Sequence, residues 1–518
     1  MSVREVVIRN NRYFDSIFLM ALARRLGNQP GVEAAAAVMG TPANKRILAE
    51  MGFAEQRLNA AGPNDLVVAL EGSAEIIRSL AENLEEWLTR PKIELSGGTA
   101  ISLDDALSRQ RDSNLAVISL PGEYAAREAD CALNRGLNVF LFSDHVSVED
   151  EIALKKKASD SGLIVMGPDC GTALIAGVGI GFANSIRRGP IGVVASSGTG
   201  LQEFTCLVHR TGSGISHGLG TGSRDLSDKV GGVSTLTAID ALEADSGTTA
   251  ICVISKPPGK RTLQRVAKRL SRCRKPVAAC LLGLPLDSIP QDIRFETCPT
   301  LDDLAATALR LVGAASSSSV VPPQSEVEGL LQKEVQNMVP GQRFVRGLFA
   351  GGTLCYQSQQ VLRDAGIVAY SNAPLDGMLK IPDVRVSLGH SLIDMGAEEF
   401  TVGTPHPMID PTHRARRIVD EAEDPGVAVL LLDIILGYNA SSDPAGDLAE
   451  AISKAKKAAL QGERYLSVVA SICGTDGDPQ GLEKQENTLR EAGVVVFPSN
   501  VQATAFTRDI IQRRAEEG

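Results

Sequence analysis

IGVVASSGTGLQEF (191–204) and VRGLFAGGTLCYQS (345–358) read alike: an apolar run, a turn of small residues ending in Gly-Thr, then a helical pattern. Glycine permits the tight passage from strand to helix, and a helix that opens there turns free N–H groups and its positive dipole end toward one spot. Ser197, Gly198 and Thr199 in the first copy, and Gly351, Gly352 and Thr353 in the second, are therefore candidate phosphate- or substrate-binding residues. A turn that needs glycine for backbone reasons alone is the plainer alternative. A third turn, LGYNASSD (436–443), follows the most apolar strand of the chain and adds Gly437 and Asn439 to the candidates. In doubly wound α/β sheets, ligands bind at the carboxyl ends of strands, where all three turns fall. None is a Walker loop, because KPPGKRT (256–262) lacks the earlier glycine.

Working outward, apolar runs alternate with helix-period segments over most of the chain, which predicts repeated βαβ units and parallel sheets. Strands are expected at 6–9, 35–40, 66–72, 115–120, 139–143 and 163–167, then at 191–196, 250–255 and 276–282. Beyond the Ser/Pro segment GAASSSSVVPPQSE (313–326) they recur at 344–350, 367–370, 427–436, 465–472 and 493–497. The fold class is thus α/β: a Rossmann-like amino-terminal region followed by two flavodoxin-like domains. The expected boundaries are an α/β domain at 1–110, a Rossmann half at 111–186, domains at 187–313 and 341–518, and a linker at 314–340. The second flavodoxin-like domain carries an additional loop-rich segment, about 381–413.

The 518 residues are too many for one core, and 43% hydrophobic with 4% aromatic and 50 glycines favours parallel sheets over an aromatic-rich sandwich. With 52 basic against 62 acidic residues, the net charge of -10 gives no general attraction for nucleic acid or anionic lipid, so an anion must be bound locally. No apolar run approaches the roughly 20 residues of a membrane helix. The start, MSVREVVIRNNRYFD, has charges where a secretory signal has its apolar stretch, which places the chain in the cytoplasm as an expectation. Nine cysteines without a CxxC pair read as reduced, mostly buried thiols. Cys170, in MGPDCGT (166–172), closes an apolar strand with Asp169, but no cation beside it is evident that would make it a nucleophile.

GHSLIDMGAEEFTVGTPHPMIDPTHR (389–414) holds three of the six histidines, His390, His406 and His413, among Asp394, Glu398, Glu399 and Asp410. It is dense in acids, bases and ligand atoms, and His406, Asp410 and Asp394 are weak catalytic candidates. No metal-ligand spacing such as His-Glu-x-x-His occurs, and a polar loop lining a ligand or subunit contact is the favoured reading.

SLDDAL, GLIVMGPDCGT, IGVVASSGTG, AICVIS and KPVAACLLG resemble the α subunit of succinyl-CoA synthetase, and VLLLDIILGYNASSD, YLSVVASICGTDG and AGVVVFPSNVQATAF resemble the carboxyl-terminal domain of its β subunit. MGTPANK (39–45), PGEYAA (121–126), SKPP (255–258) and HPMIDP (406–411) resemble the FdrA family nearly end to end. The resemblance implies two succinyl-CoA-synthetase-type ligase domains. The departures are equally informative. The strand KPVAACLLG continues into LPLDSIPQDIRFETCP rather than a histidine loop, and no histidine occurs between His217 and His390. No ATP-grasp domain is present, and the first strand runs into IRNNRYFDSIF instead of a CoA-binding glycine turn. The FdrA resemblance implies a subunit of a multi-subunit oxamate carbamoyltransferase of anaerobic ureide (allantoin) breakdown, acting on carbamoyl phosphate and a small carboxylate with no cofactor. Two alternatives stay open. One is an ADP-forming acyl-CoA ligase using CoA and ATP with Mg and a partner ATP-grasp chain; the other is a non-catalytic ligand-binding subunit.

Overall fold

The computed structural model describes residues 2–10, 12, 14, 16–27, 29–62, 64–88, 100–285, 288–289, 293–314, 322–401 and 404–516. Its contacts divide the chain into an amino-terminal unit that is chiefly Met1–Arg111 and a larger unit made of Asp112–Thr401 and His406–Gly518. Among the described residues no helix is long and apolar enough to cross a membrane.

The amino-terminal unit runs β1 (Ser2–Arg9), α1 (Ser16–Gly27), β2 (Val32–Met39), α2 (Pro42–Glu50), α3 (Glu55–Leu58), β3 (Leu66–Ser73), α4 (Ala74–Glu82), α5 (Leu84–Trp87) and α6 (Leu103–Arg109). Its sheet has the order β1-β3-β2, and both pairings are antiparallel. The parallel, Rossmann-like arrangement expected for this region is therefore corrected. The reason lies in β3. Leu66, Val68 and Leu70 pack in one core with Leu22 and Leu26 of α1 and Ile77 of α4. Val67 and Ala69 pack in a second with Leu48, Phe53 and Leu58. A central strand covered on both faces reads as an unbroken apolar run whatever the direction of its neighbours, so LVVAL could not distinguish the two cases. In MGTPANK, Thr41 caps α2 by accepting from the Asn44 amide at 3.3 Å, with Pro42 in the first turn.

The larger unit opens with β4 (Leu115–Ile118), α7 (Gly122–Leu133), β5 (Asn138–Leu141), α8 (Val148–Asp160) and β6 (Val165–Met166), a parallel three-stranded sheet in the order β4-β5-β6. The chain then makes a hairpin, β7 (Thr172–Ile175) and β8 (Val178–Gly181), that belongs to the next sheet and not to this Rossmann half, which moves the expected boundary from 186 back to before Thr172. Ala176 (φ 50°) and Gly177 (φ 88°) form its two-residue turn, with both residues in the left-handed region that such hairpins require.

The next elements are β9 (Arg188–Ala195), α9 (Gly198–Arg210), β10 (Ile215–Gly220), α10 (Val233–Ala244), β11 (Ala250–Ser255), α11 (Lys260–Leu270), β12 (Val277–Leu281), β13 (Glu296–Thr297) and α12 (Leu301–Leu311). The sheet order β13-β12-β11-β9-β10-β7-β8 contains the flavodoxin-like order, with the hairpin added at one edge. Next come α13 (Gln324–Gln336), β14 (Phe344–Phe349), α14 (Gly352–Asp364), β15 (Tyr370–Ser371), β16 (Leu379–Lys380), β17 (Ser391–Asp394), α15 (Glu398–Thr401) and α16 (Thr412–Glu421). The chain closes with β18 (Val427–Ile435), α17 (Pro444–Gln461), β19 (Ser467–Cys473), α18 (Leu482–Glu491), β20 (Val495–Phe497) and α19 (Asn500–Glu516). This second sheet, β16-β15-β17-β14-β18-β19-β20, is parallel in every pairing. The two flavodoxin-like domains are thus as expected.

Two details differ. Within the loop-rich 381–413 segment, SLID forms the buried strand β17, inserted between β15 and β14; a four-residue run is too short for its period to be read. Residues 324–336 of the expected linker form α13, whose Leu331 and Val335 enter the carboxyl-terminal core and whose Glu334 accepts from the Tyr465 hydroxyl at 3.0 Å. Residues 315–321, also in that linker, lie outside the described residues.

A buried ion cluster ties α8 to the loop after β10. Lys155 Nζ lies 2.7 Å from Glu151, 2.8 Å from Asp225 and 2.9 Å from the Thr221 carbonyl, with all three charged side chains fully buried. Asp225 in turn accepts from the Ser234 and Thr235 amides at the start of α10. Lys155→Met leaves Asp225 without its cation in a dry site, so urea unfolding should show a loss of about 3–5 kcal/mol. A change below about 1 kcal/mol would show that Arg224, 3.0 Å from Glu151, already compensates the cluster.

Candidate functional site

At the carboxyl end of β9 the chain turns at Ser197 (φ -158°, ψ 115°), whose Oγ accepts from the Gly200 amide at 3.0 Å and caps α9. The equivalent position before α14 is Gly351, which has no side chain to cap with. Asp433, toward the carboxyl end of β18, reaches across instead and accepts from the Ala350 amide at 2.8 Å and the Gly351 amide at 2.7 Å. This carboxylate is fully buried and is matched by Arg414, 2.7 Å away, which also donates to the Leu348 carbonyl at 3.0 and 2.7 Å. A buried charge pair with every contact satisfied thus fixes the start of α14.

The starts of α9 and α14 meet. Ser197 Oγ and Thr353 Oγ1 share a hydrogen bond of 2.5 Å, and the Thr353 amide donates to Thr199 Oγ1 at 3.4 Å. The approach depends on small residues. A Cβ on Gly200 would come within 2.5 Å of Ser197 Oγ and 3.1 Å of Thr353 Cγ2, and one on Gly351 within 3.1 Å of Thr199 Cγ2. Among the described residues, the amides of Gly198, Thr199 and Gly352 have no acceptor. Six of the predicted binding residues therefore come together, and three of them present open N–H groups at two converging helix ends, an arrangement suited to an oxyanion.

Asp394, at the end of β17, borders this point. Its side chain is 7% exposed; Oδ1 accepts from the Gly396 amide at 3.0 Å, and Oδ2 lies where a Cβ on Gly352 would overlap it. Burial pushes its pKa up to about 6, against the pull of the nearby Lys256 ammonium. Lys256 directly follows β11, is half-buried, has no ion-pair partner among the described residues, and sits 5.4 Å over the Tyr356 ring.

His406 is drawn toward the same region, its Nε2 standing against Gly396. Nδ1 accepts from the Met408 amide at 3.2 Å and burial pulls the ring's pKa down to about 4, so the ring is neutral at pH 7 and carries its proton on Nε2. The remaining candidates have other work. Asp410 accepts from the amide (3.0 Å) and hydroxyl (2.5 Å) of Thr412 at the start of α16. Gly437 donates to Gln480 Oε1 at 3.0 Å, and Asn439 Nδ2 donates to the Gly181 carbonyl at 2.7 Å. His390 accepts from the Val345 amide at 3.3 Å, near the opposite end of β14. Glu398 bonds His145 at 3.0 Å. Cys170 is buried and its thiol is pushed up to about 12 by that burial, which disfavours the nucleophilic thiolate.

Sequence alone does not mark Lys256 or the Asp433–Arg414 pair as parts of the site. Lys256 carried a positional signal, immediately after the strand adjacent to β9, and Asp433 was the lone carboxylate in the most apolar run of the chain.

The uncharacterized protein YahF of Escherichia coli (strain K12) is 40% identical over 526 residues, covering 100% of both chains. The chain belongs to that protein's family. Residues 348–510 match the CoA-ligase family, and residues 1–101 match the family described as AllF, heavy metal-associated domain. The succinate–CoA ligase [ADP-forming] α subunit of Methanothermobacter thermautotrophicus is 28% identical over 182 residues, 35% of this chain and 60% of that subunit. Among solved structures, ATP citrate lyase from Methanothrix soehngenii, in complex with citrate and coenzyme A, matches 80% of this chain and 85% of its own at 13% identity, with a TM-score of 0.33. The chain is thus succinyl-CoA synthetase-like, with an AllF-type amino-terminal domain. Residues 1–101 contain neither cysteine nor histidine, so that domain lacks the thiolate and imidazole ligands a heavy metal would need. Among the described residues no cluster of three His, Cys, Asp or Glu could hold a metal ion.

The two glycines that open the helices differ in what they tolerate. A Cβ on Gly198 would meet Thr172 Oγ1 at 3.4 Å, an ordinary contact, whereas one on Gly352 would displace the Asp394 carboxylate. Gly198→Ala should keep both fold and phosphate binding. Gly352→Ala should unfold at nearly the wild-type urea concentration yet weaken phosphate binding at least tenfold by calorimetric titration. Equal binding by the two variants would remove the start of α14 from the anion site.

Proposed function

We propose that the chain is an FdrA-type subunit that transfers a carbamoyl group between carbamoyl phosphate and oxamate, working with other subunits of a multi-subunit enzyme. The observation that carries this reading is the pair of converging helix ends with open amides at Gly198, Thr199 and Gly352. In the forward direction the oxamate nitrogen attacks the carbamoyl carbon, the bond from that carbon to the phosphate oxygen breaks, and the electron pair leaves with phosphate. The nitrogen's proton is carried to the departing phosphate, giving N-carbamoyl oxamate and inorganic phosphate. Fixed N–H donors at the phosphate stabilise the charge that develops there, and one such donor is typically worth roughly 3–4 kcal/mol of transition-state stabilisation.

This chemistry needs no nucleotide, CoA or phosphoenzyme. A second reading is an ADP-forming acyl-CoA ligase that obtains its nucleotide-binding domain from a partner chain, which the CoA-ligase match over residues 348–510 favours.

The chain with its co-purifying partners should form carbamoyl phosphate from N-carbamoyl oxamate in strict dependence on inorganic phosphate. With labelled ATP and Mg²⁺ it should acquire no alkali-stable, acid-labile phosphate. Label on His406 together with CoA-dependent acyl-CoA formation would replace this reading with the ligase.

A further inference from the structure

The site holds one buried acid that phosphate binding alone does not explain. Asp394 is over nine-tenths buried at the end of β17; its Oδ1 is held by the Gly396 amide, while Oδ2 has no partner among the described residues and is directed at the first turn of α14. An ionised carboxylate there opposes a phosphate lodged at the Gly352 amide, and the same acid once protonated donates to it, so a proton gained during the transfer turns the repulsion into a hydrogen bond as phosphate departs. The β17 backbone that carries the acid is fixed on both sides. The Asp394 amide donates to Asn372 Oδ1 and its carbonyl accepts from Asn372 Nδ2, each at 2.9 Å.

We infer that Asp394 is a catalytic residue that moves the proton of the transfer step, with Oδ2 taking it from the attacking nitrogen and passing it to the departing phosphate. This rests on the carbamoyl-transfer reading above. The nitrogen–carbon bond forms as the carbon–oxygen bond breaks, and the proton lost by nitrogen ends on phosphate, so the carboxylate is regenerated each cycle. Lys256, from the loop after β11, supplies a positive charge that opposes the effect of burial on this acid. The other charged or titratable groups facing it are Asp433 of β18, itself held by Arg414, then Glu399 of α15, Cys355 of α14, and His406 across Gly396.

Sulfate is the probe for this proposal, because its charge does not change between about pH 5 and about pH 8. In the wild-type chain sulfate should bind more tightly as pH falls through about 6, approaching tenfold per unit on the alkaline side. Asp394→Asn keeps the acceptor for the Gly396 amide, so it should bind sulfate tightly at every pH while turnover falls about 100-fold or more. Lys256→Met, at a half-buried side chain without an ion-pair partner among the described residues, should move the midpoint of the wild-type pH dependence upward. Wild-type turnover in Asp394→Asn, an unchanged pH dependence of its sulfate binding, or an unmoved midpoint in Lys256→Met would overturn the role of Asp394 and leave the anion site standing. If wild-type protein binds no sulfate at any pH, the site and the carbamoyl-transfer reading fall together.

Discussion

Two helix N-termini repel when they are brought end to end, since each carries roughly half a positive elementary charge. The starts of α9 and α14 are nevertheless joined by the 2.5 Å bond between Ser197 and Thr353. A buried carboxylate fixes the second of them in place. Asp433 takes up the Ala350 and Gly351 amides from beneath, and Asp394 borders Gly352 from the side. Arg414 offsets Asp433, so the fixed groups leave the outward-facing amides of the junction available to an anionic ligand.

The junction also requires the two flavodoxin-like domains to be locked together, and polar groups of α9 do much of this. Arg210 donates to the carbonyls of Ile472 (2.6 Å) and Gly474 (2.9 Å) in the second domain. Glu203 accepts from the Asn500 amide at 2.9 Å. Burial pushes Glu203 up to about 7, but its oxygen is engaged at the start of α19, so this raised acid is a consequence of domain contact. Asp394 is raised by the same cause, with an oxygen left unengaged at the helix junction. Geometry separates the two acids, because the direction of their shifts is the same.

The histidine-rich segment shows how tertiary placement sorts residues that look equivalent in a sequence. His390 lies near the amino end of β14 and accepts a backbone proton there, while His406 is folded back against Gly396 beside the carboxyl end of β17. Asp410, four residues after His406, closes the first turn of α16. One short stretch therefore supplies a strand, a buried neutral ring and a helix cap, and Asp394 alone among its candidates touches the helix junction.

Sequence by itself determined the strand–turn–helix pairs of the larger unit, their flavodoxin-like repetition and the small residues of the two meeting turns. These are local properties: apolar period, glycine at a tight turn, and a helix opening directly after a strand. Strand direction in the amino-terminal sheet was not local, because a run buried on both faces looks the same beside parallel and antiparallel partners. Nor was the membership of the site. Gly437 and Asn439 share the turn chemistry of Gly198 and Gly352, yet Gln480 and the Gly181 carbonyl occupy their polar groups. Lys256, Asp394 and Asp433 reach the junction from β11, β17 and β18, and only the packing of those strands decides which charges surround the two helix ends, since Coulomb interaction and desolvation act through space and not along the chain.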